Sequence, residues 1–438
     1  MTHTHHRSSA TIRDHARRRT HPATSNAALE ERLTEIVRPA TYALVDQYHR
    51  LGLRERILTL PVMVTVLLTL IWRQVPSVST LVQMLAREPL LWEPPRTVSQ
   101  QALSDRLRCL PAPLMRELVH QILPDLRARA QQRQRPLPPV IRYALTHFSH
   151  LLVVDGTTLE ALFRKVGALR DEPQTVLGGS LVALLDVASR LPRQLWWDDD
   201  PAANDKRFLE QIKRVVPTNS LLLLDKGFYA FPFFDWLTDH DCCFITGARA
   251  GAAFAVDQVL QESPVIRDRI IQFGQYRSNP CTHPVRLIEL RLGTQWHRYL
   301  TNVLDPTLLS PAQIADLYRR RWRIEDAFSL VKRLLGLSYL WTGGENGIQL
   351  QVWATWLLYA VLVDLSDAVA DELDLPLDRI SLEMVFRGLY HFSRAYERRA
   401  ATDPVRYLAA QSDLGIVKRR RKHRERHNLA TSPYILNL

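Results

Sequence analysis

Two uninterrupted apolar runs, each closed by an aspartate, constrain this chain most. Leu151–Val154 ends at Asp155 in "HLLVVDGTTL", and Leu221–Leu224 ends at Asp225 in "NSLLLLDKGFYAF". A strand with one wet face alternates apolar and polar residues, whereas one covered on both faces reads as a continuous apolar run. Both segments therefore predict central strands of a sheet buried between two layers. "GGSLVALLDVAS" and "RQLWWDDD" supply further strands, and "DKRFLEQIKRVV" an amphipathic helix between them and the second run. Strands, then a helix, then a strand predict an α/β core with a mixed sheet. In open α/β sheets the working groups stand at strand ends that open into a crevice. Taken singly, either aspartate reads equally well as a turn or N-cap residue.

The chain changes character on both sides of this core. Residues 1–27 are a basic arm with no apolar centre, which excludes a secretory signal there and predicts disorder. Residues 28–130 read as an all-helical domain, with Leu114, Leu118, Ile122 and Leu126 at near-helical spacing. "RQVPSVSTLVQMLAR" and "RTVSQQALSDRLRCL", joined by "EPLLWEPP", predict two short helices, the second capped by Ser99. They read first as part of a plain helical bundle, and also fit a helix-turn-helix offering Gln100, Gln101, Ser104 and Arg108 to a DNA groove. Residues 131–148 read as a polar, Pro-rich linker. The core then runs over 149–242 and 307–372, separated by a β-rich insertion over 243–306, where "VRLIELRLG" and "QWHRYLTNVL" alternate like half-exposed strands. Residues 373–438 form a helical region ending in the basic block "KRRRKHRER".

With 57 Lys and Arg against 45 Asp and Glu the net charge is +12, which points to nucleic acid as partner. Four cysteines in 438 residues give no disulfide framework and suit a reducing compartment. The apolar runs 57–72 and 352–363 are short for membrane spans, so a cytoplasmic protein with no membrane partner is expected.

Chemistry concentrates in "LSPAQIADLYRRRWRIEDAFSLVKRLLG", predicted as one long helix capped at Ser310, started by Pro311 and closed by Gly336. At about 100° per residue, Tyr318, Arg321, Glu325 and Lys332 fall within one stripe about 60° wide. Ile324, Phe328, Val331 and Leu335 form a second stripe that can dock the helix on the sheet. Three carboxylates, Asp155, Asp225 and Glu325, can then share a crevice and hold two divalent metals for an in-line phosphoryl displacement. The basic neighbours, with Arg319 and Arg323 beside them, can grip phosphates. The plainer alternative is an Arg321–Glu325 surface pair, worth only about 0.2–0.5 kcal/mol.

These residues resemble a known family. Asp155 in "VVDGTTL", Asp225 in "LLLDKGF" and Glu325 look like the acidic triad of DDE transposases. Tyr318, Arg321, Glu325 and Lys332 match the Tyr–Arg–Glu–Lys signature of the insertion-sequence-4 type, and "YLTNVL" before the helix is also similar. The likeness covers about 150–340. It implies a ribonuclease-H-like catalytic core with a β-rich insertion, Mg²⁺ as cofactor with Mn²⁺ able to substitute, and metal-dependent cleavage and strand transfer in cut-and-paste transposition. It also implies double-stranded DNA (element ends and target) as partner, a homodimer on paired ends, a bacterial nucleoid-associated location, and Trp296 as candidate for stacking on a flipped base. Alternatives are a transposase-derived DNA-binding protein without catalysis and a metal-dependent nuclease on the same fold.

Overall fold

The computed structural model describes residues 27–53, 55–159, 179–200, 203–249, 251–275, 279–337 and 344–418. The basic arm before Ala27 and the basic block beyond Lys418 lie outside the described residues.

Among the described residues seven helices precede the sheet: α1 (Ala27–Ala43), α2 (Val45–His49), α3 (Leu60–Trp72), α4 (Val78–Arg87), α5 (Gln100–Cys109), α6 (Ala112–Gln132) and α7 (Pro139–His147). Every residue of α3 is buried, as a helix apolar on every side demands, Thr65 and Thr69 being its only polar side chains. Helices α4 and α5 pack on each other, Ser99 caps α5 through the Ala102 N–H, and Gln100, Gln101 and Arg108 are exposed. The Pro-rich segment 131–148 is tied to the rest of the fold at several points. Pro139 opens α7, and Arg133 and Arg135 reach back to α12 (Glu345–Glu372). Arg133 lies 2.9 Å from Asp364, and Arg135 pairs with Asp367 while its backbone N–H donates to Asp371 at 2.7 Å. Helix α12 is the one helix among the described residues long and apolar enough to cross a membrane, yet its apolar window is wholly buried within the fold, packed on α3 and α6.

Among the described residues the sheet has nine strands in the order β3-β2-β1-β4-β5-β9-β8-β7-β6. Strands β1 (His150–Thr158), β2 (Ser180–Asp186) and β3 (Pro192–Asp198) form an antiparallel meander, and β4 (Ser220–Leu224) and β5 (Cys243–Gly247) lie parallel to β1. Helices α8 (Leu209–Lys213) and α9 (Phe231–Asp239) connect these strands. Leu151, Val153, Leu221 and Leu223 enter one apolar core, and Leu152, Val154, Leu222 and Leu224 the other, so period-two alternation fills both faces of the sheet.

Cys243–Gly247, expected inside the insertion, is thus a core strand. Strands β6 (Phe254–Glu262), β7 (Ile266–Phe273), β8 (Val285–Leu292) and β9 (Gln295–Thr301) extend the same sheet, because β9 pairs with β5. Arg286 on β8, fully buried, bonds Asp268 of β7 at 2.6 and 2.8 Å and donates to the Leu309 carbonyl at 2.8 Å. That clamp fixes the chain just before α10 (Pro311–Arg319).

The expected single helix over 310–336 is three pieces. Its ends are as read: Ser310 and Gln313 form a reciprocal capping box, and Gly336 takes φ +79°. Between them, i→i+3 bonds interrupt the helix at Arg320–Arg321 before α11 (Trp322–Ser329), and a π-helical turn follows over Leu330–Leu334. Helices α13 (Leu382–Glu397) and α14 (Pro404–Ala410) close the described chain.

Candidate active site

The parallel register of β1 and β4 brings the two aspartates together. Val154 pairs with Leu224, the last rung of that ladder, so Asp155 and Asp225 are the next residues on adjacent strands. Asp155 does not end its strand, as the sequence suggests; β1 runs on to Thr158 along β2, with Asp155 opposite Ala183. Asp225 does end β4 and caps the turn after it, accepting from the Gly227 N–H at 3.1 Å. Asp155 accepts from the Gly156 N–H at 2.8 Å. Helix α11 packs on β1 and carries Glu325 to the same place. Asp155, Asp225, Arg321, Glu325 and Lys332 line one open cleft, floored by Gly156, Thr157 and Phe328.

Arg321 occupies its centre. Its guanidinium lies 2.5 Å from Asp155, 3.0 Å from Glu325 and 3.4 Å from Asp225. The helical Arg321–Glu325 pair is therefore real, but it is one leg of a three-carboxylate contact. Burial pushes the Asp155 carboxyl up to about 7; Arg321 opposes the shift, and Asp225 and Glu325 add to it. Tyr318 stacks edge-on with Tyr299 and lies under the Arg321 guanidinium, while burial raises its hydroxyl. Lys332 bonds Thr157 Oγ1 and donates to the Thr158 carbonyl at 2.7 Å, so it is anchored to the continuation of β1. Burial lowers its ammonium.

The other predicted residues lie apart. Arg319 is exposed and pairs with Asp316. Arg323 turns away from the acids toward Asp326 at 3.2 Å and Asp378 at 3.8 Å. Trp296 stands on β9 outside the cleft, its ring covered by the Arg267 guanidinium 4.7 Å away.

One neighbour went unread. Asp205 points its carboxylate between Gly156 and Gly227, so close that a Cβ on either glycine would meet it at 2.3 or 2.1 Å. Burial and the Asp225 charge raise its pKa. Nothing in "NDKRFL" marks it beyond a helix-start aspartate; only the fold places a fourth acid behind the pair.

The donor set suits Mg²⁺ in kind, since all three side chains offer hard carboxylate oxygens. Among the described residues no three acidic, His or Cys side chains stand close enough together to hold one ion, because the Arg321 guanidinium fills the space between them. The acids fit a divalent cation in donor type and in the positive charge they already gather.

Residues 147–361 match the family model described as the transposase DDE domain. The match supports a DDE transposase family. No curated protein matches the chain. Among solved structures, a piggyBac transposase in a synaptic complex with hairpin DNA aligns at 14% identity and a TM-score of 0.40, over 90% of this chain and 84% of that one.

Proposed function

We propose that this chain is a DNA transposase that cuts element ends and joins them to target DNA, using Asp155, Asp225 and Glu325 to hold Mg²⁺, or Mn²⁺ in its place. One observation carries the reading: three carboxylates from β1, the end of β4 and α11 converge on a single cleft inside the transposase DDE segment. The strand arrangement, an antiparallel meander whose first strand lies parallel to two more, supports a ribonuclease-H-like core. When bound between such carboxylates, divalent ions activate an attacking oxygen and stabilise the leaving one.

The chain's own side chains do the positioning. Asp155 and Asp225 are held by adjacent strands and by backbone N–H groups, so their approach to the scissile phosphate is fixed before DNA arrives. Arg321 can exchange its carboxylates for a phosphate, whose oxygens match the guanidinium fork. Lys332, fixed to Thr157 and Thr158, sets a cation at the rim where a strand end would rest. Tyr318 holds the Arg321 plane from behind, which fits the Tyr–Arg–Glu–Lys reading of the insertion-sequence-4 type. Duplex DNA, pairing of two chains on two ends, the α4–α5 pair as candidate groove reader and a bacterial nucleoid location belong to the same proposal.

Incubating the full chain with Mg²⁺ and labelled DNA carrying its own element's ends tests it. Cutting with joining supports a transposase. Cutting alone supports a nuclease on this fold, and binding alone supports a non-catalytic DNA-binding descendant.

A further inference from the structure

On the far side of α11 from the acids lies a cavity of about 400 Å³, within the ~300–1,000 Å³ usual for ligand sites. Five cationic side chains line it, Arg190, Arg323, Arg333, Arg387 and Lys418, against two carboxylates, Asp326 and Glu383. Neither acid neutralises the set. Asp326 is taken up by Arg323 at 3.2 Å and Glu383 by Arg387 at 2.9 Å, leaving Arg190, Arg333 and Lys418 in excess among the described residues.

Arg190 is the telling member. It sits at the turn between β2 and β3 with a left-handed backbone, φ +62°, and is 8% exposed. Its Nη2 is buried with no hydrogen-bond partner among the described residues. A buried guanidinium nitrogen without an acceptor is costly, the more so for a charged group, so such an atom is consistent with a missing acceptor. A second feature points the same way. Ser381 caps α13, and Leu382 and Glu383, the first two residues of this 16-residue helix, line the cavity. The first N–H groups of a helix lack intrahelical acceptors and favour negative charge. Burial pushes the Lys418 ammonium down to about 8, with Arg190 and Arg323 adding to it and Asp326 and Asp378 opposing. An anion would reverse that.

We propose that this cavity is a phosphate-binding site, separate from the acid cleft and backed onto the same helix. Guanidinium forks, a helix N-terminus and an excess of about three positive charges suit a multiply charged oxyanion better than a single carboxylate. The phosphate could come from a DNA backbone threaded past α11 or from a free polyphosphate, and the chemistry of recognition is the same.

The test uses the full chain in EDTA, so that no metal ion in the acid cleft bridges the ligand, and titrates sodium pyrophosphate at constant ionic strength by calorimetry; the variants below separate this cavity from the cleft's own Arg321 and Lys332. The site predicts saturable binding, weakened about tenfold by Arg333→Gln and by Lys418→Gln and unchanged by Arg406→Gln, an exposed arginine elsewhere. Arg333 is exposed and Lys418 half-buried, so both variants stay readable where a substitution at buried Arg190 would disturb folding. Absence of saturable binding, or equal weakening by Arg406→Gln, overturns the proposal. A second arm assigns the source within it. If prebound duplex DNA excludes pyrophosphate, the site takes a backbone phosphate; if both bind at once, it takes a free one.

Discussion

Replacing Arg321 by alanine removes the one cation that, among the described residues, touches all three acids of the cleft. The Asp155 leg sets the magnitude, because Arg321 and Asp155 are 6% and 7% exposed and 2.5 Å apart. Breaking a buried ion pair from one side costs about 3–5 kcal/mol. The Glu325 and Asp225 legs add little, since those side chains are 41% and 33% exposed and water screens them. The Asp155 carboxyl titrates at about 7 in the folded chain against an ordinary 3.8. Folding therefore takes up a proton between those values, and the native state loses stability as pH rises through that window. At pH 6 Asp155 is already largely protonated and Arg321→Ala removes a hydrogen bond worth about 1 kcal/mol. At pH 8.5 the carboxylate is charged and the loss grows to about 3 kcal/mol. Urea unfolding at the two pH values in EDTA measures both. Added Mn²⁺ should then stabilise the variant more than the wild type, because the ion no longer competes with a guanidinium. Equal losses at both pH values, or identical Mn²⁺ stabilisation of the two proteins, would refute this reading of the cleft.

Three further outcomes follow from the same geometry. Lys332→Ala should still nick an element end but lose joining by about 10²-fold, because misplacing the strand end penalises the second step most; Arg319→Ala, paired with Asp316 outside the cleft, is the control, and product gels separate the two. Gly227→Ala should cost about 1–3 kcal/mol through its 2.1 Å clash with Asp205, and Asp205→Ala in the same chain should recover most of that loss in thermal unfolding. Asp367→Ala should destabilise the chain by about 3–5 kcal/mol by stranding buried Arg135, with Asp367→Asn milder, as read by chemical denaturation.

The parts of this fold carried by local chemistry were legible in the sequence. Continuous leucine runs marked β1 and β4 as doubly covered, and Ser310, Pro311 and Gly336 marked both ends of the helical segment between them. What depends on distant partners was hidden. The helix interruption at Arg320–Arg321 sits where Arg321 reaches three acids, two of them on other strands, and helical arithmetic contains no such term. Arg133 and Arg135 look like a solvated linker because Asp364 and Asp367, which hold them, lie more than two hundred residues away inside an apolar run. Asp155 looks like a strand end because polarity stops the apolar pattern, while the β2 ladder continues past it. Asp205 gave no local signal; its place follows from two glycines that leave room for a carboxylate.

If Asp155, Asp225 and Glu325 act together on DNA, cutting needs all three. The experiment compares the wild type with Asp155→Asn, Asp225→Asn and Glu325→Gln on labelled element-end DNA in Mg²⁺, scoring binding and cleavage on the same samples. All four proteins should bind DNA near-normally, since phosphate contacts come mainly from other residues, with cleavage by the wild type alone. Cleavage by any of the three variants at a rate close to the wild type's would contradict it.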